Sequence, residues 1–377
     1  PQRAQHRTGE EIRRAPPPAR VGAVLCALGL FFMPLSHSIL MAVSMLWILD
    51  AGNNITMEPY RAYVSDRLNE DQHQLGFLTQ SSFTGLAQML AFLTPSLLVW
   101  AGMNQDWVDG HNIPYTARIA FMVGAFLSFG TIVYSILRVP ELPLSLQDRA
   151  RIAAAPKGLA PALREIGAAI RDMPPAMRKL ALMSLFQWYA MFTYWNYVVL
   201  SISRSVYGQT EAVSEGFRRA VLDNGEMGGF YNGVAFVAAF AMIPILRKAS
   251  PALLHAACLL AAGVGMFAIP HIADKAWLFL PAAGIGLGWA SMMGNPYIIL
   301  ASSIPPNRTG VYMGIFNMMI VIPMLLNALT MPLYFDTLLG GDARNALMLA
   351  GVLMAFAAVS VLWLRPPSRA SRPLSAA

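Results

Sequence analysis

Long apolar runs are the feature that most restricts how this chain can fold. A helix needs about 20 apolar residues to cross the hydrocarbon core of a bilayer. The sequence contains ten such runs, with boundaries good to about two to four residues: 21–38, 40–63, 75–100, 117–138, 179–203, 227–246, 251–270, 276–300, 310–333 and 346–364. The sequence therefore predicts an all-α polytopic membrane protein.

Composition excludes an ordinary cytosolic protein, a disordered chain, a coiled coil and a nucleic-acid binder with a solvated basic face. Only 12% of the residues are charged, whereas a soluble domain has about 25%. Both cysteines, Cys26 and Cys258, lie inside apolar runs, and the six histidines show no ligand spacing. We therefore expect no disulfide, no metal site and no bound cofactor.

The distribution of basic residues predicts the orientation of the spans. With residues 1–20 in the cytoplasm, 21 of the 27 lysines and arginines fall on the cytoplasmic side, as the positive-inside rule requires. The net charge of +7 is then a topology signal, not a sign of nucleic-acid binding. Asp223 and Glu226 are expected in an outside loop. The expected partners are the lipid bilayer and a small molecule, with the protein a monomer.

A proline-rich segment divides the predicted spans into four and six. It covers residues 139–178 and includes a basic amphipathic stretch at Leu159–Ile170. We therefore predict an N-terminal bundle at 1–138, a cytoplasmic linker at 139–178, a C-terminal six-helix bundle at 179–364 and a cytoplasmic tail at 365–377.

The second span carries ionisable groups at a costly depth. Asp50 follows about ten apolar residues, and a charge near mid-bilayer costs roughly 2.5–3.5 kcal/mol on insertion scales. Arg61 comes eleven residues later, so both groups share one helix face, about 16 Å apart along the axis. Pro59 should bend the helix beside them. That face must look into a bundle or a water-filled cavity.

These groups have a structural and a functional interpretation. In the structural one, Asp50 pairs with a neighbouring helix and Arg61 reaches the cytoplasmic surface. In the functional one, Asp50 takes up and releases a proton inside a low-dielectric cavity. Arg61, Asn53 and Asn54 would then bind the hydroxyl groups of a substrate. Glu58 fits either an ion pair with Arg61 or a second titrating group.

Polar and aromatic residues in other spans add candidates for a sugar site. Gln80, Thr84 and Gln88 form one stripe on the third span, and rings and amides crowd the middle of the fifth. Sugar rings stack on aromatic faces while their hydroxyls bond to amides. The candidates outside the second span are Gln80, Trp188, Tyr194, Asn196, Asn295 and Asn317. Helix packing and interfacial aromatic belts are the competing interpretation for them.

Signatures of enzymes and ATP-driven pumps are missing from the sequence. It has no Gly-rich loop ending in Lys-Ser or Lys-Thr, no His-Glu-x-x-His and no Gly-x-Ser-x-Gly. A carboxyl and a guanidinium inside the membrane fit secondary transport better than hydrolysis, so we predict that the protein is not an enzyme and has no catalytic residues.

Two segments resemble sucrose:proton symporters, in the glycoside–pentoside–hexuronide:cation branch of the major facilitator superfamily. The first resembles their fourth helix and contains Trp47-Ile48-Leu49-Asp50, Asn53-Asn54, Pro59, Arg61-Ala62 and Asp66. The second resembles their tenth and eleventh helices and contains Pro296-Tyr297, Ser302-Ser303, Pro305, Gly310–Asn317 and Ile320–Pro323. In this register the first span matches the third helix of the family. The resemblance thus implies a major facilitator fold with ten of twelve helices present and the first two missing.

The resemblance also implies roles for individual residues. Asp50 matches the carboxylate that couples protons and binds sugar, and Arg61 matches an arginine implicated in substrate binding. Asp66 and Arg67, with Glu58, would belong to a cytoplasmic charge cluster that gates the transporter. The stretch Thr56–Tyr60 departs from the plant pattern and looks more like bacterial members, so the sugar stays open.

We therefore predict a proton-coupled importer of a disaccharide such as sucrose or maltose, in the cell membrane of a bacterium. A sodium-coupled glycoside symporter and a drug-type facilitator remain alternatives within transport. A non-transporting sugar sensor is the alternative from another class.

Overall fold

A computed structural model describes residues 17–69, 72–104, 107, 109–110, 115–138, 158–211, 214–246, 248–304 and 309–362. Regular structure in these ranges is helical. The α-helices are α1 (Pro17–Phe32), α2 (Ile39–Arg67), α3 (His73–Trp100), α4 (Tyr115–Arg138), α5 (Leu159–Arg171), α6 (Pro175–Tyr207), α7 (Glu215–Leu246), α8 (Pro251–Ala268), α9 (Phe279–Ala301), α10 (Thr309–Leu339) and α11 (Ala343–Leu362).

Eight helices in the described ranges, α2–α4 and α7–α11, are long and apolar enough to cross a membrane. The predicted count of ten is therefore not confirmed. Helix α1 has only 16 residues and leads into a 3-10 turn at Met33–Leu35. Helix α6 is long, with 33 residues, but polar groups such as Gln187, Asn196 and Arg204 dilute its apolar character.

The start of α7 differs from the prediction. The apolar run begins at residue 227, but the helix begins at Glu215, so Asp223 and Glu226 lie on a helix and not in a loop. Asp223 is buried, and the hydroxyl of Tyr207 donates a hydrogen bond to its Oδ2 at 2.5 Å. A hydrogen-bond partner for this buried carboxylate lets the helix extend beyond the apolar run.

Residues 1–63 and 94–165 form one compact unit. In it, α1 crosses α2 through glycines. A Cβ atom on Gly22 would lie 2.8 Å from the carbonyl oxygen of Gly52, and one on Gly52 would lie 2.8 Å from the backbone nitrogen of Cys26. Small residues of this kind let helix backbones approach closely in membranes.

Residues 64–93 and 166–377 form the second unit. The first three-quarters of α3 packs here against α7 and α9. Ser81 Oγ donates a hydrogen bond to the carbonyl of Ala290 at 2.7 Å, and Ser82 Oγ donates one to the carbonyl of Phe236 at 2.7 Å. A Cβ atom on Gly85 would lie 2.9 Å from the backbone nitrogen of Phe236. The division of the chain into bundles before and after residues 139–178 stays a prediction.

Candidate functional site

In the first unit, the Asp50 side chain lies on a face of α2 that α1 leaves uncovered. Leu49 and Gly52 approach α1, whereas Asp50 and Asn53 are exposed and Asn54 is partly buried. Asn54 Nδ2 donates a hydrogen bond to the backbone carbonyl of Asp50 at 2.9 Å. The carboxylate and the two amides therefore form one open polar stripe within this unit.

For the other charged candidates on α2, the structure describes the backbone and not the side chains. The helix backbone continues to Arg67. The side chains of Glu58, Arg61, Asp66 and Arg67 lie outside the described residues. Their assigned roles stay predictions.

Three tryptophans form a cluster in the second unit. The ring centroids of Trp188 and Trp195 on α6 lie 6.2 and 5.7 Å from that of Trp289 on α9, in edge-to-face geometry, and 6.4 Å from each other. Trp188 and Trp289 are 5% exposed, whereas Trp195 is 37% exposed. Edge-to-face pairs contribute beyond the burial of area alone, so two buried indoles hold a third at the surface of this unit.

An amide from α3 joins the tryptophan cluster. Trp289 Nε1 donates a hydrogen bond to Gln88 Oε1 at 2.5 Å. Gln80 lies two turns earlier on α3 and is half-buried, and its carbonyl accepts a hydrogen bond from Thr84 Oγ1 at 3.0 Å. The predicted stripe on α3 thus reaches the cluster through Gln88. We call Trp188, Trp195, Trp289 and Gln88 the aromatic–amide cluster.

A second polar network lies in the core of this unit, around His255 of α8. His255 is fully buried. Its Nδ1 lies 2.7 Å from Ser291 Oγ, and its Nε2 lies 3.1 Å from Gln187 Oε1. Asn295 Nδ2 donates to the same Ser291 Oγ at 2.7 Å. The predicted residue Asn295 is therefore a member of a buried network that links α6, α8 and α9.

The remaining predicted residues have separate surroundings. Tyr194 is 1% exposed and packs edge-to-face on Tyr231, and its hydroxyl has no hydrogen-bond partner among the described residues. Asn196 is exposed, and its Nδ2 donates to the carbonyl of Phe192 at 2.7 Å. Asn317 is half-buried on α10. Trp188 is thus the predicted residue of α6 that lies in the aromatic–amide cluster.

A charged cavity of about 570 Å³ lies where α6 ends and α7 begins. Lys275 Nζ lies 3.6 Å from Asp223 Oδ1, opposite the hydrogen bond from Tyr207. Tyr207 lies beyond the predicted span 179–203. Burial raises the pKa of its phenol to about 12, with further contributions from the hydrogen bond to Asp223 and the charge of that carboxylate.

Sequence reasoning missed several residues of these networks. Trp289 is one of several aromatic residues in its glycine-rich span, and its position gives no signal without its neighbours. Gln88 was named in the polar stripe of α3 but was not among the candidates for the sugar site. His255 could have been found as an ionisable residue inside an apolar span, which is a functional candidate by default.

Comparison with known proteins identifies the family to which this helical membrane protein belongs. Residues 11–328 match the family model of the Major Facilitator Superfamily. The chain belongs to this superfamily. Its family and fold are those of transporters and not of enzymes. This superfamily member is therefore a multi-pass membrane protein.

The relatives of this superfamily member include sugar transporters. It is 24% identical over 323 residues to the sucrose transport protein SUT5 of Oryza sativa, in both the indica and japonica subspecies. The match covers 75% of this chain, which spans 58% of the length of those relatives.

Solved structures share the fold. The E. coli fucose:proton symporter FucP matches in a variant form with a TM-score of 0.62, covering 93% of this chain and 84% of that one at 14% identity. FucP in the outward conformation matches with a TM-score of 0.64, covering 93% and 83% at 14% identity. At this identity the likeness establishes the fold alone.

Proposed function

We propose that the protein is a secondary active transporter that imports a disaccharide, such as sucrose or maltose, together with protons. In this superfamily fold, two halves rock about a site near the middle of the membrane. We place the protein in the cell membrane of a bacterium, with both termini in the cytoplasm, because that orientation puts 21 of the 27 basic residues inside.

The aromatic–amide cluster is the observation that carries this proposal. A sugar ring presents C–H faces to aromatic rings and hydroxyl groups to amides. Trp195 offers a partly exposed indole that Trp188 and Trp289 support from behind. Gln88 Oε1 accepts a hydrogen bond from Trp289 Nε1. The Gln88 amide nitrogen carries two N–H groups, which can donate hydrogen bonds to a sugar hydroxyl.

The sequence relatives support a sugar as the substrate class. They are named as sucrose transport proteins. Because this chain spans 58% of the length of the sucrose transporters, its activity, its sugar and its coupling ion are proposals.

Asp50 is the group proposed to couple the proton. A carboxylate near mid-bilayer costs roughly 2.5–3.5 kcal/mol on insertion scales, and protonation removes that cost. Its side chain lies on the open stripe of α2 beside Asn53 and Asn54. Proton and sugar would then cross together, since the carboxyl can move through an occluded state only when it is neutral. Arg61, on the same helix as Asp50, is also proposed to bind the sugar.

Uptake of labelled sucrose and maltose into proteoliposomes tests the substrate class. Under an inward proton gradient, we expect uptake of one of these sugars by the wild-type protein. Trp195→Ala removes the exposed indole and should raise KM about two- to tenfold, the range expected for one aromatic contact.

Trp100→Ala is the matched control, because Trp100 is 87% exposed and lies at the end of α3. Equal effects of the two substitutions would contradict the assignment of the aromatic–amide cluster as the sugar site. Uptake that follows a sodium gradient and ignores the proton gradient would favour the sodium-coupled alternative.

A further inference from the structure

A second cavity, separate from the aromatic–amide cluster, opens between α6, α10 and α11 of the second unit. Its volume is about 420 Å³, and its walls are apolar, with leucines from all three helices. Leu349 and Leu353 lie about 9 and 15 Å along α11 from its first residue. That depth falls inside a hydrocarbon core of about 30 Å. We call this cavity the α6–α10–α11 groove.

The polar atoms of the groove satisfy one another. The Tyr189 hydroxyl lies 2.6 Å from the Tyr334 hydroxyl and 2.8 Å from Thr330 Oγ1. No group here requires water, because these hydroxyls already form hydrogen bonds among themselves. An apolar surface left without contacts loses dispersion energy, so hydrocarbon is the occupant that the groove fits.

Two arginines share one carboxylate at the end of the groove where α10 meets α11. Leu339 lines the groove, and its carbonyl accepts a hydrogen bond from the backbone nitrogen of Asp342 at 3.3 Å. Arg344 Nη2 lies 2.9 Å from Asp342 Oδ2, and Arg204 Nη1 lies 3.5 Å from Asp342 Oδ1. The two guanidinium groups therefore lie next to the rim of the groove.

The arginines keep capacity for another anion. Their side chains are 35% and 40% exposed, whereas that of Asp342 is 12% exposed, and one carboxylate cannot neutralise two guanidiniums. The other carboxylate at this end, Asp336, is exposed, and no ion pair joins it to either arginine in the described part of the chain. Guanidinium groups bind phosphate oxygens through paired N–H donors.

We propose that this region is a binding site for a membrane phospholipid, whose acyl chain fills the α6–α10–α11 groove and whose phosphate contacts Arg204 and Arg344. Asp336 at the same rim has an exposed carboxylate, which can pair with an ammonium group. A zwitterionic headgroup with an ammonium is therefore as suitable as an anionic headgroup. The site is independent of the proposed sugar transport.

Native mass spectrometry of the detergent-solubilised full chain tests the phosphate contact. The protein is titrated with dioleoyl phosphatidylethanolamine, dioleoyl phosphatidylglycerol and dioleoylglycerol, which share the same acyl chains. We expect both phospholipids to bind more tightly than dioleoylglycerol. Arg204→Gln and Arg344→Gln should each weaken phospholipid binding about two- to fivefold, as for partly exposed ion pairs. Arg219→Gln, which alters an exposed arginine elsewhere, should leave it unchanged. Equal binding of all three lipids would overturn the phosphate contact.

Filling the groove tests the acyl-chain site. Leu349→Trp should lower phospholipid occupancy about tenfold or more, since the larger side chain takes the volume of the acyl chain. Val352→Trp is the control, because Val352 is 42% exposed on the same helix and does not line the groove. Leu353→Phe gives a milder filling, and thermal unfolding confirms that each variant is folded. Unchanged binding in folded Leu349→Trp and Leu353→Phe would overturn the site.

Discussion

The hydrogen bond between Trp289 and Gln88 gives a quantitative prediction. Trp289→Phe removes the indole N–H and leaves Gln88 Oε1 without this donor, and Gln88→Leu removes the acceptor. The bond is partly buried, and loss of one partner costs about 1–3 kcal/mol when the remaining group stays away from water. Trp289→Phe also alters two edge-to-face contacts, each contributing about 0.5–1.5 kcal/mol. We therefore expect Trp289→Phe to cost more than Gln88→Leu.

The double variant separates the hydrogen bond from the ring contacts. When both partners are absent, no polar group is left unpaired, so the double variant should cost less than the two single costs together. A coupling free energy of about 1–3 kcal/mol is expected, within the range for directly contacting residues. The aromatic–amide cluster is the proposed sugar site, so sugar affinity should show the same coupling, with about a tenfold change in Kd for every 1.4 kcal/mol.

Isothermal titration with the transported sugar measures Kd for the four proteins, and thermal unfolding in detergent follows their stability. Trp277→Phe is the matched control, because Trp277 is 65% exposed and lies outside the cluster. Additive effects of the two substitutions, to within about 0.3–0.5 kcal/mol in both measurements, would refute the predicted coupling between Gln88 and Trp289.

Four further predictions follow from the structure. Asp50→Asn should still exchange sugar in counterflow but lose uphill accumulation; accumulation that survives would refute the coupling role. His255→Ala should lower the free energy of unfolding by about 2–5 kcal/mol, because it leaves a cavity and unpaired groups on Gln187 and Ser291; thermal unfolding checks this, with partial recovery expected in His255→Gln. Gly52→Val should separate α1 from α2 and lower the yield of folded protein, whereas Gly130→Val, where an added Cβ meets nothing within 4 Å, should not. The Tyr207 contribution to stability should be complete below the unfolded pKa near 10 and be lost as pH rises towards about 12; Tyr207→Phe should lack this alkaline loss in unfolding scans, and an unchanged loss would contradict the role of Tyr207.

Most helices could be predicted from the sequence because an apolar run of membrane-spanning length leaves the backbone few alternatives. The start of α7 could not, because Glu215 to Glu226 is polar and its helix depends on tertiary partners such as Tyr207. The sequence also could not decide whether α1 and α6 cross the membrane. Their length and polarity lie close to the limits for crossing a bilayer.

The site was predicted only where its chemistry is concentrated in one segment. Asp50, Asn53 and Asn54 follow one another on α2, so their shared face is a matter of helical period. The aromatic–amide cluster joins residues about 100 and 200 positions apart, such as Gln88 and Trp289, and no periodicity reveals such pairs. Asn295 was predicted as a cavity residue, but its partner Ser291 and the neighbouring His255 place it in a buried network.

Sugar-dependent proton movement is the most direct test of the central claim. The purified protein is reconstituted into proteoliposomes, and external pH is recorded while sucrose, maltose and lactose are added in turn. We predict alkalinisation of the medium with one of these sugars, because sugar and proton enter together. No pH change with any of the three, in a preparation shown to be folded, would contradict proton-coupled disaccharide import.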